Sequence, residues 1–178
     1  NAAAQTIQTQ TNRHVLDVEF YRDIRPILQR SCVQCHSKSG RQEAGLVLDD
    51  TSIVDGFDNT YNRLARDQSA RFGIKPVISN GAWRQTNASR YVRMFQSRRS
   101  LLMWKIMGRR LDGWTNADHP TESAPGNAAT LPSGANANDA DLDYTGTIMP
   151  PPASGVPGLT ENEKMTFARW IDLGCQID

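Results

Sequence analysis

The sequence predicts a mostly α-helical domain built on its two ends. Three observations carry this reading: an amphipathic pattern over residues 17–31, a capped helical pattern from Thr160 to Gly174, and a helical segment around residues 100–108 in the long middle. In the first, Phe20, Ile24, Ile27 and Leu28 fall at i, i+4, i+7 and i+8, one face of a helix. Asp17, Glu19 and Asp23 come early and Arg25 and Arg30 late, which suits the helix dipole. Pro26 is tolerable in a first turn but kinks a helix interior, so the helix is expected to start near Asp23, with Phe20 and Tyr21 in a lead-in turn. At the other end, Thr160-Glu161-Asn162-Glu163 is a capping box. Met165, Phe167, Ala168, Trp170, Ile171 and Leu173 supply an apolar stripe, and Gly174 stops the helix.

The first helix pattern runs straight into Cys32-Val33-Gln34-Cys35-His36. Two cysteines two residues apart with a histidine directly after form the attachment signature of c-type haem. The two thiols add across the two vinyl groups, and the adjacent imidazole serves as proximal iron ligand. One covalently bound heme c is therefore the expected cofactor, held by Cys32, Cys35 and His36. A thioredoxin-like dithiol fits less well, because that motif opens a helix after a strand in a βαβ context. A zinc site needs two more ligands at short spacing, and the chain offers only the isolated Cys175, His14 and His119. Cys175, just past the terminal helix, reads as a small buried hydrophobe, with an intermolecular disulfide as the alternative.

Length and charge bound the function. At 178 residues the chain can bury a real core. A net charge of +1 gives no global case for nucleic acid or an anionic membrane. No apolar run approaches the roughly 20 residues of a transmembrane helix. Residues 1–16 are polar and Gln- and Thr-rich, and read as a flexible N-terminal arm. The chain opens on Asn1-Ala2-Ala3 without Met, as a processed or cut-out domain does. Covalent haem attachment of this kind takes place outside the cytoplasm, so an exported protein, periplasmic or extracellular, is expected.

The order of an aromatic-bearing helix ending in CxxCH, a long middle, a Met-Pro segment and an aromatic-bearing terminal helix resembles class I c-type cytochromes with a single haem. The resemblance implies a cytochrome c-like core in which the N- and C-terminal helices cross around a covalent haem. Phe20 or Tyr21 would then pack against Phe167 or Trp170. Residues 17–178 form one such domain, with a partly helical insertion at about 50–146. Ile24-Arg25-Pro26-Ile27-Leu28, Arg99-Ser100-Leu101-Leu102, Met149-Pro150-Pro151 and Trp170-Ile171-Asp172-Leu173-Gly174 are similar to haem domains of large exported bacterial proteins, including the hydrazine synthase alpha-subunit type. In class I cytochromes the distal ligand is a methionine on a Pro-flanked loop, and Met149 matches in content and position. Its thioether favours Fe(II), and three prolines stiffen the loop that holds it. His119 is the rival distal ligand and His14 a weaker one. Met94, Met103, Met107 and Met165 lie in helical patterns and are assigned to the core.

Between His36 and Met149 lie 112 residues, too many for a structureless loop in a compact domain. Ser100 caps a helix that Gly108 ends, a second helix is expected around 89–96, and Val47-Leu48 forms a short strand or an extended segment at the haem edge. From Arg63 to Arg110 there are ten Arg and two Lys against the single acid Asp67. This is either a solvated charged face, a docking patch for an acidic redox partner, or a source of arginines for the haem propionates, with Arg84, Arg98 and Arg99 as candidates. Residues 121–147 read as a surface loop. Within it Asp139, Asp141 and Asp143 alternate, but the Gly and Glu of a calcium loop are missing. Asn87-Ala88-Ser89 matches the short glycosylation pattern.

The expected function is single-electron transfer between exported redox proteins by a His/Met-ligated mono-haem cytochrome. No separate catalytic constellation is visible, so an electron carrier, or an electron-transfer domain of a larger enzyme, is favoured over an enzyme in its own right. The alternative is a haem domain whose distal site is open or His-ligated, acting in a redox enzyme or as a small-ligand sensor.

Overall fold

A computed structural model describes residues 17–43, 46–66, 77–79, 82–84, 91–113, 144 and 147–177. Helices dominate these residues, accompanied by two short antiparallel hairpins. The N-terminal element is continuous from Phe20 but changes type. Phe20–Ile24 forms a π-helical turn in which the Arg25 amide donates to the Phe20 carbonyl. The α-helix α1, Arg25–Ser31, follows with Pro26 in its first turn. The α-helix therefore starts two residues past the expected Asp23, with Pro26 in its first turn and Phe20 and Tyr21 in the turn that leads into it. A proline in a continuous α-helix would clash with the carbonyl four residues back, and the wider turn ahead of it takes that carbonyl out of the way.

Among the described residues three further α-helices follow: α2 (Asn59–Tyr61), α3 (Leu101–Met107) and α4 (Glu161–Asp172). The capping box at α4 is formed, with Thr160 Oγ1 accepting from the Glu163 amide and the Glu163 carboxylate accepting from the Thr160 amide. Glu163 also takes a bidentate contact from Arg30 of α1, Nη1 to Oε1 at 2.5 Å and Nη2 to Oε2 at 2.9 Å. Of the apolar stripe, Phe167, Trp170 and Ile171 are fully buried. Met165, assigned to the core from sequence, is 56% exposed, because it falls on the solvent side of the stripe.

The two end helices meet through aromatic rings. Phe20 and Trp170 are both 0% exposed, with ring centroids 5.9 Å apart. Tyr61 completes the group at 5.4 Å from Phe20 and 6.3 Å from Trp170. Tyr21, the other sequence candidate, faces outward. The same cluster fastens the chain after α4. The Phe20 amide and Trp170 Nε1 both donate to the Gln176 carbonyl at 2.9 Å, and Tyr61 Oη donates to the Cys175 carbonyl at 2.7 Å. Cys175 is buried.

The middle supplies supports that its sequence only partly advertises. Strands β1 (Ile53–Val54) and β2 (Phe57–Asp58) pair antiparallel, with Val54 opposite Phe57. Asp55 and Gly56 turn between them at φ 52° and 81°, the double positive φ that an Asp-Gly hairpin turn requires. Asp58 caps α2 by accepting from the Thr60 and Tyr61 amides, and the chain continues through a π-helical turn, Asn62–Arg66. Ahead of the hairpin, the Asp50 carboxylate accepts from Ser52 Oγ at 2.7 Å and Asn59 Nδ2 at 2.6 Å. These hydrogen bonds, with Lys38 beside them, hold it well below the usual carboxylate range. Strands β3 (Val77–Ser79) and β4 (Ala82–Arg84) form the second hairpin.

Helix α3 starts after Ser100 and ends at Gly108, whose φ of 71° is the left-handed cap that glycine adopts readily. Ser100 does not cap it through its side chain. Its hydroxyl accepts from the Arg93 amide at 2.8 Å and donates to the Gln96 carbonyl at 3.0 Å. The helix expected around 89–96 is absent over Tyr91–Gln96, where the backbone is extended and turned and Phe95 takes φ 65°. Its hydrogen bonds go elsewhere: Leu102 donates to the Tyr91 carbonyl, and the Phe95 amide to the Ile171 carbonyl, each at 2.8 Å. The N-terminal arm, His14, His119, Asn87–Ser89 and the aspartates at 139, 141 and 143 lie outside the described residues.

Two outcomes test this core. Trp170→Ala is expected to cost about 3–5 kcal/mol in denaturant unfolding, the range for emptying a buried aromatic site. The Arg30 contact holds the Glu163 carboxyl down at about 2, against an ordinary 4.5. A depressed carboxyl contributes stability above its unfolded value and loses it as pH falls toward its folded one. Glu163→Gln is therefore expected to lower stability at pH 7 by about 1 kcal/mol, discounted because Arg30 is solvent-screened. The gap to wild type should close between pH 4.5 and about 2. A gap independent of pH would mean that the carboxylate charge contributes nothing.

Candidate functional site

Helix α1 delivers the Cys-x-x-Cys-His segment without an intervening loop. The Cys32 amide donates to the Leu28 carbonyl at 2.8 Å, continuing the helical pattern. The Cys35 and His36 amides both turn back onto the Cys32 carbonyl at 3.1 Å, so both thiols and the imidazole project from one tight turn. The following chain folds over it. Glu43 donates its amide to the Cys35 carbonyl, Leu48 donates to the His36 carbonyl, and His36 Nδ1 lies 3.1 Å from the Glu43 carbonyl oxygen. With that partner Nδ1 carries the proton, and Nε2 keeps its lone pair for a ligand. Burial lowers the His36 pKa, which favours the neutral, ligating form.

The opposite wall belongs to α3 and the Met-Pro segment. The Met149 amide donates to the Lys105 carbonyl at 2.8 Å, which ties residue 149 to the helix. Next to it Ile148 packs on Gly108, where a Cβ would come within 3.3 Å of the Ile148 Cβ. The Met149–Pro150 peptide is cis, and Pro152–Ser154 forms a 3₁₀ turn.

Between these walls lies a cavity of about 770 Å³, counting its open mouth. Cys32, Cys35 and His36 line it together with Met149, Pro150 and Pro151. Leu46, Leu48, Tyr91, Leu101, Leu102 and Ile106 make it mostly apolar, and Lys105 adds one charged group. The donor set suits c-type haem: two thiols in one turn, a neutral imidazole beside them, and a thioether in the same cavity. Val47-Leu48 forms no strand here: the chain bends at Leu48, which walls the cavity. Among the described residues, no group of three or more His, Cys, Asp or Glu gathers as a metal cluster.

Two of the three arginines considered for haem propionates have other partners in the structure. Arg98 donates Nε to the Leu111 carbonyl at 2.9 Å, and Arg99 Nη1 reaches Gln96 Oε1. Arg98, Arg109 and Arg110 instead line a separate open cleft with Leu111 and Gly113. Below it the Arg110 guanidinium lies 4.6 Å over the Trp104 ring and pairs with Asp112 at 2.6 Å. The side chain of Arg84 and the whole of His119 lie outside the described residues. Sequence reasoning missed Tyr91 and Lys105 as lining residues. For Lys105 a signal existed, since it stands four residues after Leu101 and three after Leu102 on the same helix face.

No family model matches the chain. Over 163 residues it is 26% identical to hydrazine synthase subunit alpha of Kuenenia stuttgartiensis, covering 90% of this chain and 16% of that protein. The similarity is distant. A solved structure of Kuenenia stuttgartiensis hydrazine synthase matches with a TM-score of 0.48 at 24% identity, over the same shares of the two chains. The chain spans about one sixth of the relative's length. Among the described residues no helix is long and apolar enough to cross a membrane.

Burial pushes the Cys32 thiol up to about 12. In the cofactor-free folded chain its thiolate is therefore scarce, and at pH 8 it is expected to alkylate on the order of 10²–10³ times more slowly than a peptide cysteine. Iodoacetamide labelling followed by peptide mapping reads this directly. Labelling at the peptide rate would show that the pocket wall opens.

Proposed function

We propose that residues 17–178 form a mono-haem c-type cytochrome domain that passes single electrons between redox partners. The observation that carries the reading is the convergence of Cys32, Cys35, His36 and Met149, from opposite ends of a 112-residue interval, on one apolar cavity. Cys32 and Cys35 would hold the macrocycle as thioethers, His36 would be the proximal ligand and Met149 the distal one. When bound, the haem supplies a one-electron iron couple whose potential the protein tunes. The chain's own part is positional. Glu43 orients the His36 ring, the Lys105 carbonyl anchors Met149, and the leucines and Ile106 keep water from the ligands.

Electron transfer is favoured over catalysis because the described pocket lining holds no carboxylate and its only imidazole is the proximal ligand. The similarity to hydrazine synthase subunit alpha, which extends far beyond this stretch, supports a module serving a larger redox protein. Export to the periplasm or beyond follows from the covalent haem. The Arg-rich stretch 63–110, which exposes Arg98 and Arg109 at the open cleft, is the surface through which an acidic redox protein would dock.

The test is spectroscopic. Expressed with a haem-attachment system, the protein should carry one haem that acidic acetone does not extract, and Cys35→Ala should reduce the link to a single bond. The ferric protein should show the weak near-infrared charge-transfer band of methionine ligation, and Met149→Ala should abolish it. A wild type that carries haem without this band, and binds carbon monoxide rapidly when reduced, would move the reading to an open-faced haem enzyme or sensor.

A further inference from the structure

Resting on the haem reading above, the pocket raises a question of charge. Haem c brings two propionate carboxylates, and burying a carboxylate against apolar walls is costly unless a cation meets it. Among the described lining residues no Arg is present, and Lys105 is the only side chain with a fixed charge. It projects from the α3 face that also carries Leu101, Leu102 and Ile106. It is half-buried, its Nζ lies 5.1 Å from the centroid of the Tyr144 ring, and its main-chain carbonyl holds the Met149 amide. Arg98 and Arg99, the neighbouring cations on the approach to α3, bond to Leu111 and Gln96 instead.

We propose that the Lys105 ammonium is the counter-charge for a haem propionate in this pocket and thereby raises the potential of the iron. A positive charge near the iron favours the ferrous state over the ferric one, which carries one more unit of positive charge. Because the backbone of Lys105 also fixes Met149, the distal ligand and the counter-charge share one anchor on α3. Lysine suits the role as a compact charge on a flexible stem that lies along the leucines while its head reaches a carboxylate.

The experiment is a spectroelectrochemical titration of the haem-loaded wild type, K105M and K105R, with haem content and the near-infrared methionine band read on each sample. At the wild-type midpoint, where ferric and ferrous forms are equal, K105M is expected to be about tenfold enriched in ferric haem. A unit charge has that effect across about 12 Å at an effective dielectric near 20. K105R, which keeps the charge, should stay within about twofold of wild type, a range small beside that unit-charge effect. Full haem loading in K105M with an unchanged ferric-to-ferrous ratio overturns the proposal. So does loss of the methionine band in K105M alone, which would make the shift a ligation effect. Should K105M lose haem, K105Q replaces it. Loss of haem from both with full loading of K105R reads the same counter-charge as affinity, whereas equal loss from all three overturns it. A wild type that takes no haem at all refutes the cytochrome reading itself, a result separate from these.

Discussion

Everything that positions the candidate site hangs on the contact between Phe20 and Trp170. The two rings are fully buried, and Tyr61 closes the group from the middle of the chain. Fixing this junction fixes the direction of α1, and α1 runs directly into Cys32, Cys35 and His36. The same rings and hydroxyl hold the carbonyls of Cys175 and Gln176, so the tail after α4 closes over the junction. Aromatic pairs of this kind contribute packing beyond their buried area and favour defined edge and tilted geometries, which gives the crossing a specific angle.

From that junction a second chain of contacts leads to the opposite wall. Asp172 at the end of α4 accepts from the Ser97 amide and hydroxyl at 2.8 Å, and the Ile171 carbonyl accepts from Phe95. These bonds seat the short turn that precedes α3. Trp104, fully buried on α3, donates Nε1 to the Arg98 carbonyl at 2.8 Å and so locks the turn to the helix. Lys105, one residue on, holds Met149. The thiol-imidazole turn and the thioether therefore face one another because both report to the same two terminal helices, one through α1 and one through α4 and α3.

Much of this was legible in the chain. The capping box, the positions of Phe20, Phe167 and Trp170, the span of α3 and the stop at Gly108 all follow from local rules of spacing, capping and positive φ. What misled is equally local. Pro26 rightly placed the α-helix start close to Asp23, but it did not show that the lead-in turn is π-helical and continuous with the helix. Met165 fitted the apolar stripe by spacing but sits on its solvent edge. Tyr91–Gln96 had helix-compatible residues, yet the amides and carbonyls of that stretch bond to Ser100, Leu102 and Ile171, which no local window can foresee. Tyr61 was hidden among Asn59, Thr60, Asn62 and Arg63, although Asp58 ahead of it is a regular helix cap.

The sequence by itself supplied the donor set: five consecutive residues place two thiols and an imidazole at the spacing of the c-type haem signature, a pattern that needs no fold to be read. It also determined the two end helices, since capping and amphipathic period act over a few residues. Only the tertiary structure decided which distant groups share the cavity with that motif. Met149 and Lys105 reach it by way of hydrogen bonds and packing between segments far apart in the chain. Such contacts leave no periodic trace in sequence, because their partners are chosen by the closure of the whole core rather than by neighbours along the backbone.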